Sequence, residues 1–184
     1  MGCSAKDGVL MAIIEAIESH YLEADAASVT FSSLGSYEHL QLRISARYNS
    51  AGGGSTMIYL RFNSDTAANY TTTLMNAYNG NNINPNRYTN QSEVYGGGRS
   101  SGMLDPAADY GASIIDIYDY ANTNKNLSLQ QLSGVTKGYD DNTYIMTGSA
   151  LWDNAAAVTS ILVYPASASF RRGTQISLYG IKSS

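Results

Sequence analysis

Along residues 39–48 apolar and polar side chains alternate without a break. Leu40, Leu42, Ile44, Ala46 and Tyr48 fall on one side, and Gln41, Arg43, Ser45 and Arg47 on the other. A period of two requires a pleated strand with one buried and one wet face. The pattern resumes over 56–62, where Ile58, Leu60 and Phe62 oppose Met57, Tyr59 and Arg61. The glycine-rich break between these runs predicts that the two strands form a hairpin with a flexible loop. Further short strands are expected over 70–76, 92–95, 113–120, 127–135, 143–151, 158–164 and 175–181, separated by stretches rich in Asn, Gly, Asp and Ser. Between them lies no helical pattern of the kind a parallel sheet needs for its crossovers. The expected fold class is all-β: an antiparallel β-sandwich, jelly-roll-like or of a related Greek-key form.

The start of the chain departs from this period. Leu10, Ile13, Ile14, Ile17 and Tyr21 share one helical face, Glu15 and Glu18 lie off it, and Asp7 suits an N-cap. A short helix or arm is expected from about Asp7 to Ala16, followed by an edge strand over 17–22. The organisation is then an N-terminal docking arm, 1–16, and one sandwich domain, 17–184. Val9, Leu10, Ile13 and Ile14 are the candidate assembly contacts, because the first residues of a domain stay poorly ordered unless something holds them. The second outlier is the long irregular stretch 78–112, with Asn79-Gly80-Asn81-Asn82, the Gly96-Gly97-Gly98 triplet and two prolines. Such loops serve function or are ordered by a partner. Tyr88, Tyr95, Arg99 and Tyr110 within it are the candidate contacts for a partner or a glycan.

Composition sharpens the class. The chain has 184 residues, a net charge of −4 and only 14% charged residues, so one domain can bury an adequate core without staples. The low charge and the lack of a basic stripe exclude nucleic-acid binding, since Arg171-Arg172 is the only adjacent basic pair. Leu, Ile, Val and Phe make up 36 residues, while tyrosine alone supplies 15. Tyrosine must therefore share in the core and keep its hydroxyl at a wet edge. A surface of Tyr, Asn, Ser and Thr binds through hydrogen bonds and flat rings, which suits glycans or neighbouring subunits. No apolar run approaches a membrane span, and Glu15 and Glu18 interrupt the one that imitates a signal peptide. The chain reads as soluble, with no membrane partner.

The inventory for catalysis is thin. Cys3 is the single cysteine, so neither an intrachain disulfide nor a cysteine-based zinc site is possible. His20 and His39 sit in no nucleophile or metal motif, and the phosphate-binding and hydrolase signatures are absent. Asp116 is placed on the strand face of Ile114, Tyr118 and Tyr120, and Asp119 on that of Ile115 and Ile117. A glycosidase pair drawn from them is the weakest of the functional readings. Asp140-Asp141-Asn142 lacks the spacing of a calcium loop and reads as a turn. No cofactor is expected.

Several stretches, in order, carry a resemblance. They are Ile17-Glu18-Ser19; Ala27-Ser28-Val29-Thr30-Phe31-Ser32-Ser33-Leu34; Tyr37-Glu38-His39-Leu40-Gln41-Leu42-Arg43; and Leu60-Arg61-Phe62-Asn63-Ser64-Asp65-Thr66-Ala67-Ala68-Asn69-Tyr70. Later come Ile115-Asp116-Ile117-Tyr118-Asp119-Tyr120-Ala121-Asn122-Thr123-Asn124-Lys125, Leu151-Trp152, Ala157-Val158-Thr159-Ser160-Ile161 and Ile176-Ser177-Leu178-Tyr179-Gly180-Ile181-Lys182. Together they resemble small virion structural proteins of tailed bacteriophages, of the decoration or fibre type known from environmental and marine phages. The resemblance implies a non-enzymatic β-sandwich located in the virion, a homo-oligomer such as a trimer, in contact with a major capsid protein or other virion proteins. A capsid decoration or cement role is the leading expectation. A head- or tail-fibre module recognising host glycans is the alternative, and a polysaccharide hydrolase the third. The resemblance supplies no site residues. Its Ser-Leu/Ile-Pro turn lacks the proline here, reading Ser33-Leu34-Gly35-Ser36.

Overall fold

The computed structural model describes residues 13–49, 55–78, 82–101, 109–136 and 143–182. Among the described residues twelve strands follow one another: β1 (Ile13–Tyr21), β2 (Val29–Phe31), β3 (His39–Ala46), β4 (Ser55–Phe62), β5 (Tyr70–Tyr78), β6 (Asn82–Gln91), β7 (Arg99–Ser101), β8 (Gly111–Tyr118), β9 (Leu127–Val135), β10 (Tyr144–Trp152), β11 (Ile161–Pro165) and β12 (Gln175–Lys182). They form an eight-stranded sheet, β1-β12-β3-β8-β9-β10-β5-β6, and a four-stranded sheet, β2-β11-β4-β7, with every pairing antiparallel. The protein is the expected two-sheet β-sandwich. The triplet β1-β12-β3 of the large sheet is repeated as β2-β11-β4 in the small one, because the chain changes sheet between β1 and β2, between β3 and β4, and between β11 and β12. This paired crossing is what rolls a jelly roll.

Alternation places the core. Leu40, Leu42, Ile58, Leu60, Phe62, Ile115, Ile117, Ile161, Val163, Ile176 and Leu178 are completely buried between the sheets. Each such side chain contributes about 1.5–3 kcal/mol by leaving water. Phe62, Tyr70 and Trp152 stack in one layer, with ring centroids 5.7–6.3 Å apart.

Five expectations need correction. No strand spans 92–95, where Val94 makes only an isolated bridge to Leu60. Ile13 to Ala16 are not helical: they are the first residues of β1, in register with Lys182 to Tyr179 of β12. Their apolar spacing serves a helix face and a strand equally, and the β12 edge decides. Val9 and Leu10 lie outside the described residues. The hairpin of β3 with β4 does not form; β3 pairs with β12 and β8, and β4 with β11 and β7. A glycine-rich break permits a crossover between sheets as readily as a tight return. The stretch 78–112 is not one loop, since it contains β6 and β7. β6 carries no apolar alternation because it lies at the far end of the larger sheet, where both of its faces are largely exposed. Finally, Tyr120 does not share a face with Asp116. Asp119 takes a left-handed conformation (φ 50°), the strand has ended, and Tyr120 turns inward to be buried.

Candidate functional site

The outer face of the large sheet departs from what one-sided burial requires. An antiparallel sheet with one wet face is normally polar there. Strand register aligns its outward residues into rows that cross the strands. One row runs Ser177, Arg43, Ile114, Leu132, Thr147, Met75 and Pro85, and the next runs Gln175, Ser45, Ala112, Gly134, Ile145, Ala77 and Ile83. Ile114, Leu132, Met75, Ile145 and Ile83 are 43–69% exposed. Large hydrophobic side chains side by side across five strands form a patch of the kind that marks an interaction surface. Two hollows of about 510 and 560 Å³ open onto it and share Ile114 and Leu132 in their walls, so the face is grooved.

A polar row borders the patch and is ordered at its Gln41–Asp116 end. The Arg43 guanidinium lies over the Tyr179 ring at 4.6 Å, its Nε donates to Gln41 Oε1 at 2.9 Å, and Gln41 Nε2 donates to Asp116 Oδ1 at 2.7 Å. This row continues through Gln130, Ser149 and Thr73 to Arg87 on β6. Fixed side chains cost less entropy on binding than mobile ones. An apolar centre with a pre-ordered polar rim is the anatomy of a protein interface.

The sequence carries a signal for this face. In β9 the alternation inverts after Leu129: Gln131 is buried and Leu132 exposed. In β8 the doublet Ile114-Ile115 puts an apolar residue on each face.

The expected contact residues do not gather in one place. Tyr88 and Tyr95 do meet, their rings stacked at 4.6 Å, and Tyr95 packs on Tyr59 at 4.7 Å, which in turn meets Tyr164 edge-on at 5.8 Å. This ladder joins β6 to the outer side of the small sheet. Burial, followed by neighbouring Tyr95, raises the Tyr59 hydroxyl well above its ordinary pKa, and burial with nearby Glu93 pushes Tyr164 to about 12. Both remain protonated donors. Glu93 accepts from Arg61 Nη2 at 2.9 Å and from the Tyr164 hydroxyl at 3.1 Å, an arrangement that fixes the ladder. Arg99 lies in β7, at one edge of the small sheet. Tyr110 stands apart, its hydroxyl donating to the Arg172 carbonyl at 3.0 Å beside a polar hollow of about 530 Å³ lined by Tyr21, Asp25, Asn49 and Arg171. Ile13 and Ile14 are exposed on the edge strand β1.

Glu38, His39 and Asp119 approach one another closely enough to suggest a cation site. Their donor atoms are engaged otherwise. The Asp119 amide donates to His39 Nδ1 at 3.0 Å, and Lys125 pairs with the Asp119 carboxylate. The hydrogen bond from Lys125 holds the Asp119 carboxyl below the usual range. The cluster therefore closes the turn after β8. Asp116 and Asp119 are each satisfied by separate neighbours, Gln41 and Lys125.

No protein-family model matches the chain, and no curated protein matches it in sequence. Function must be argued from the surface itself.

Proposed function

We propose that this chain is a non-enzymatic structural protein of a bacteriophage particle, a capsid decoration protein repeated over the shell. The observation that carries the reading is the grooved apolar face of the large sheet with its ordered polar rim. A chain working alone in water has no use for Ile114, Leu132, Met75 and Ile145 exposed together, whereas a subunit of an assembly covers them. The sequence resemblance to virion structural proteins supports the same class. Repetition adds avidity, so a moderate interface per copy holds a layer in place. Low charge limits repulsion between crowded copies. Residues 1–12, Val9 and Leu10 among them, carry the contact with the major capsid protein.

The test is loading. Purified protein mixed with particles lacking it is expected to bind to a fixed number of copies and to co-sediment. Protein that stays in the supernatant under all conditions would contradict the proposal.

A second reading has its own observation, the hollow beside Tyr110. There Tyr21, Asp25, Asn49 and Arg171 combine aromatic area with hydrogen-bonding groups, as a glycan subsite on a fibre module would require. Glycan-array binding that is lost in Tyr110→Ala, with no loading onto particles, would favour it.

A further inference from the structure

We infer that the grooved face is covered by a second copy of this chain, packed sheet against sheet about a two-fold axis that runs along β10. The inference rests on the reading that this face is an interface and names its occupant.

Self-complementarity is the argument. β8 and β6 lie two strands to either side of β10. Asp116 on β8 and Arg87 on β6 belong to the same row, linked through Gln130, Ser149 and Thr73. Rotation by a half-turn about β10 therefore sets Asp116 of each copy opposite Arg87 of the other. The same rotation opposes Ile114 to Pro85, Leu132 to Met75, and Ile145 to its own counterpart. Apolar residues thus meet apolar residues, and Asp116, the one carboxylate among the described residues of the face, meets a guanidinium that makes no ion pair with any described residue. An isologous contact demands such pairing, while a contact with an unrelated protein gives no reason for opposite charges at equal distances from β10. Packed sheets cross at about 30°, so the axis lies about 15° off β10 and groups ~10 Å from it are displaced by about 5 Å, within reach of an arginine side chain.

Area is adequate. The rotation overlaps five strands, β8 to β6, which at about 4.8 Å spacing and some 25 Å length present roughly 600 Å² per copy, the low end of a stable interface at about 1,200 Å² in total. The sheet edges are poorer docking sites. β1 carries Glu15 and Glu18 and a register shift between Ala16 and Glu18, and β6 carries Pro85 opposite a strand with its own shift near Tyr70. Such features blunt edge pairing.

Sedimentation equilibrium of the full chain is expected to show a monomer–dimer equilibrium. Leu132→Asp, at an exposed position, should give a monomer whose thermal midpoint equals that of the wild-type monomer. Asp116→Arg and Arg87→Asp should each weaken dimerisation by about tenfold or more, and the double variant should recover most of that loss. A wild-type chain that stays monomeric at millimolar concentration, a trimer, or a double variant no better than either single one would overturn the inference. A monomeric chain that still loads onto particles would remove the dimer and leave the decoration role standing. A dimer that never loads would do the reverse.

Discussion

The indole nitrogen of Trp152 donates a 2.8 Å hydrogen bond to Oδ2 of Asp65, tying the end of β10 to the turn that follows β4. Asp65 also accepts from the Ala67 amide at 2.9 Å and from Asn69 Nδ2 at 2.9 Å. One carboxylate thus organises the turn and satisfies the polar atom of the largest core side chain. Asp65→Ala is expected to cost about 1–3 kcal/mol, because it leaves a buried donor unpaired. The urea midpoint measures the loss. Trp152, the single tryptophan, reports on the same site by its fluorescence.

Acid should act through two carboxylates. For Asp65, burial alone would raise the pKa, but the Ala67, Asn69, Trp152 and Asn154 hydrogen bonds outweigh it and the pKa falls below 3.8. For Glu93, burial is likewise overcome by Ser92, Arg61 and Tyr164, and the pKa falls below 4.5. A depressed folded-state pKa gives stability that is complete above the unfolded value and is lost as pH drops through the folded one. Stability should therefore hold near neutral pH and decline below about 4.5. Glu93→Gln should flatten the upper part of that decline in urea titrations repeated across pH.

The 33–36 turn is built on glycine. Gly35 has φ 74°, a conformation that proline cannot adopt. Its carbonyl accepts from the Tyr120 hydroxyl at 2.8 Å, and the same hydroxyl accepts from the Tyr37 amide at 3.3 Å. Gly35→Pro should destabilise the fold by about 1–3 kcal/mol or more. Tyr120→Phe should cost about 1 kcal/mol. Thermal denaturation of both variants checks the pair.

Two truncations separate the proposed N-terminal contact from the sheet. Removing residues 1–12 leaves all of β1 and is expected to preserve the thermal midpoint while abolishing particle loading. Removing residues 1–16 also strips four residues from the β1–β12 ladder, together with Glu15, which accepts from the Tyr37 hydroxyl at 2.9 Å. The longer truncation should melt at a lower temperature than the shorter. Equal midpoints would show that Ile13 to Ala16 add nothing to the sandwich.

Strands with one buried face were legible from alternation. β9 was expected over 127–135 and spans Leu127–Val135, and β12 was expected within one residue of its end. β6 was not legible, because neither of its faces is fully covered and burial is what writes an apolar period into a strand. Sheet membership was equally hidden. Leu60 and Leu42 show the same alternation, yet one belongs to the small sheet and the other to the large. The candidate surface escaped notice for a related reason. Ile114, Leu132 and Met75 are far apart in the chain, and only register makes them neighbours.

Averaged images of particles that carry this chain test the central claim most directly. Density fitting the sandwich is expected at regular positions on the shell, with the Ile114–Leu132 face of each copy turned against a neighbouring chain. Particles without such density, or copies whose large-sheet face points into open solvent, would contradict it.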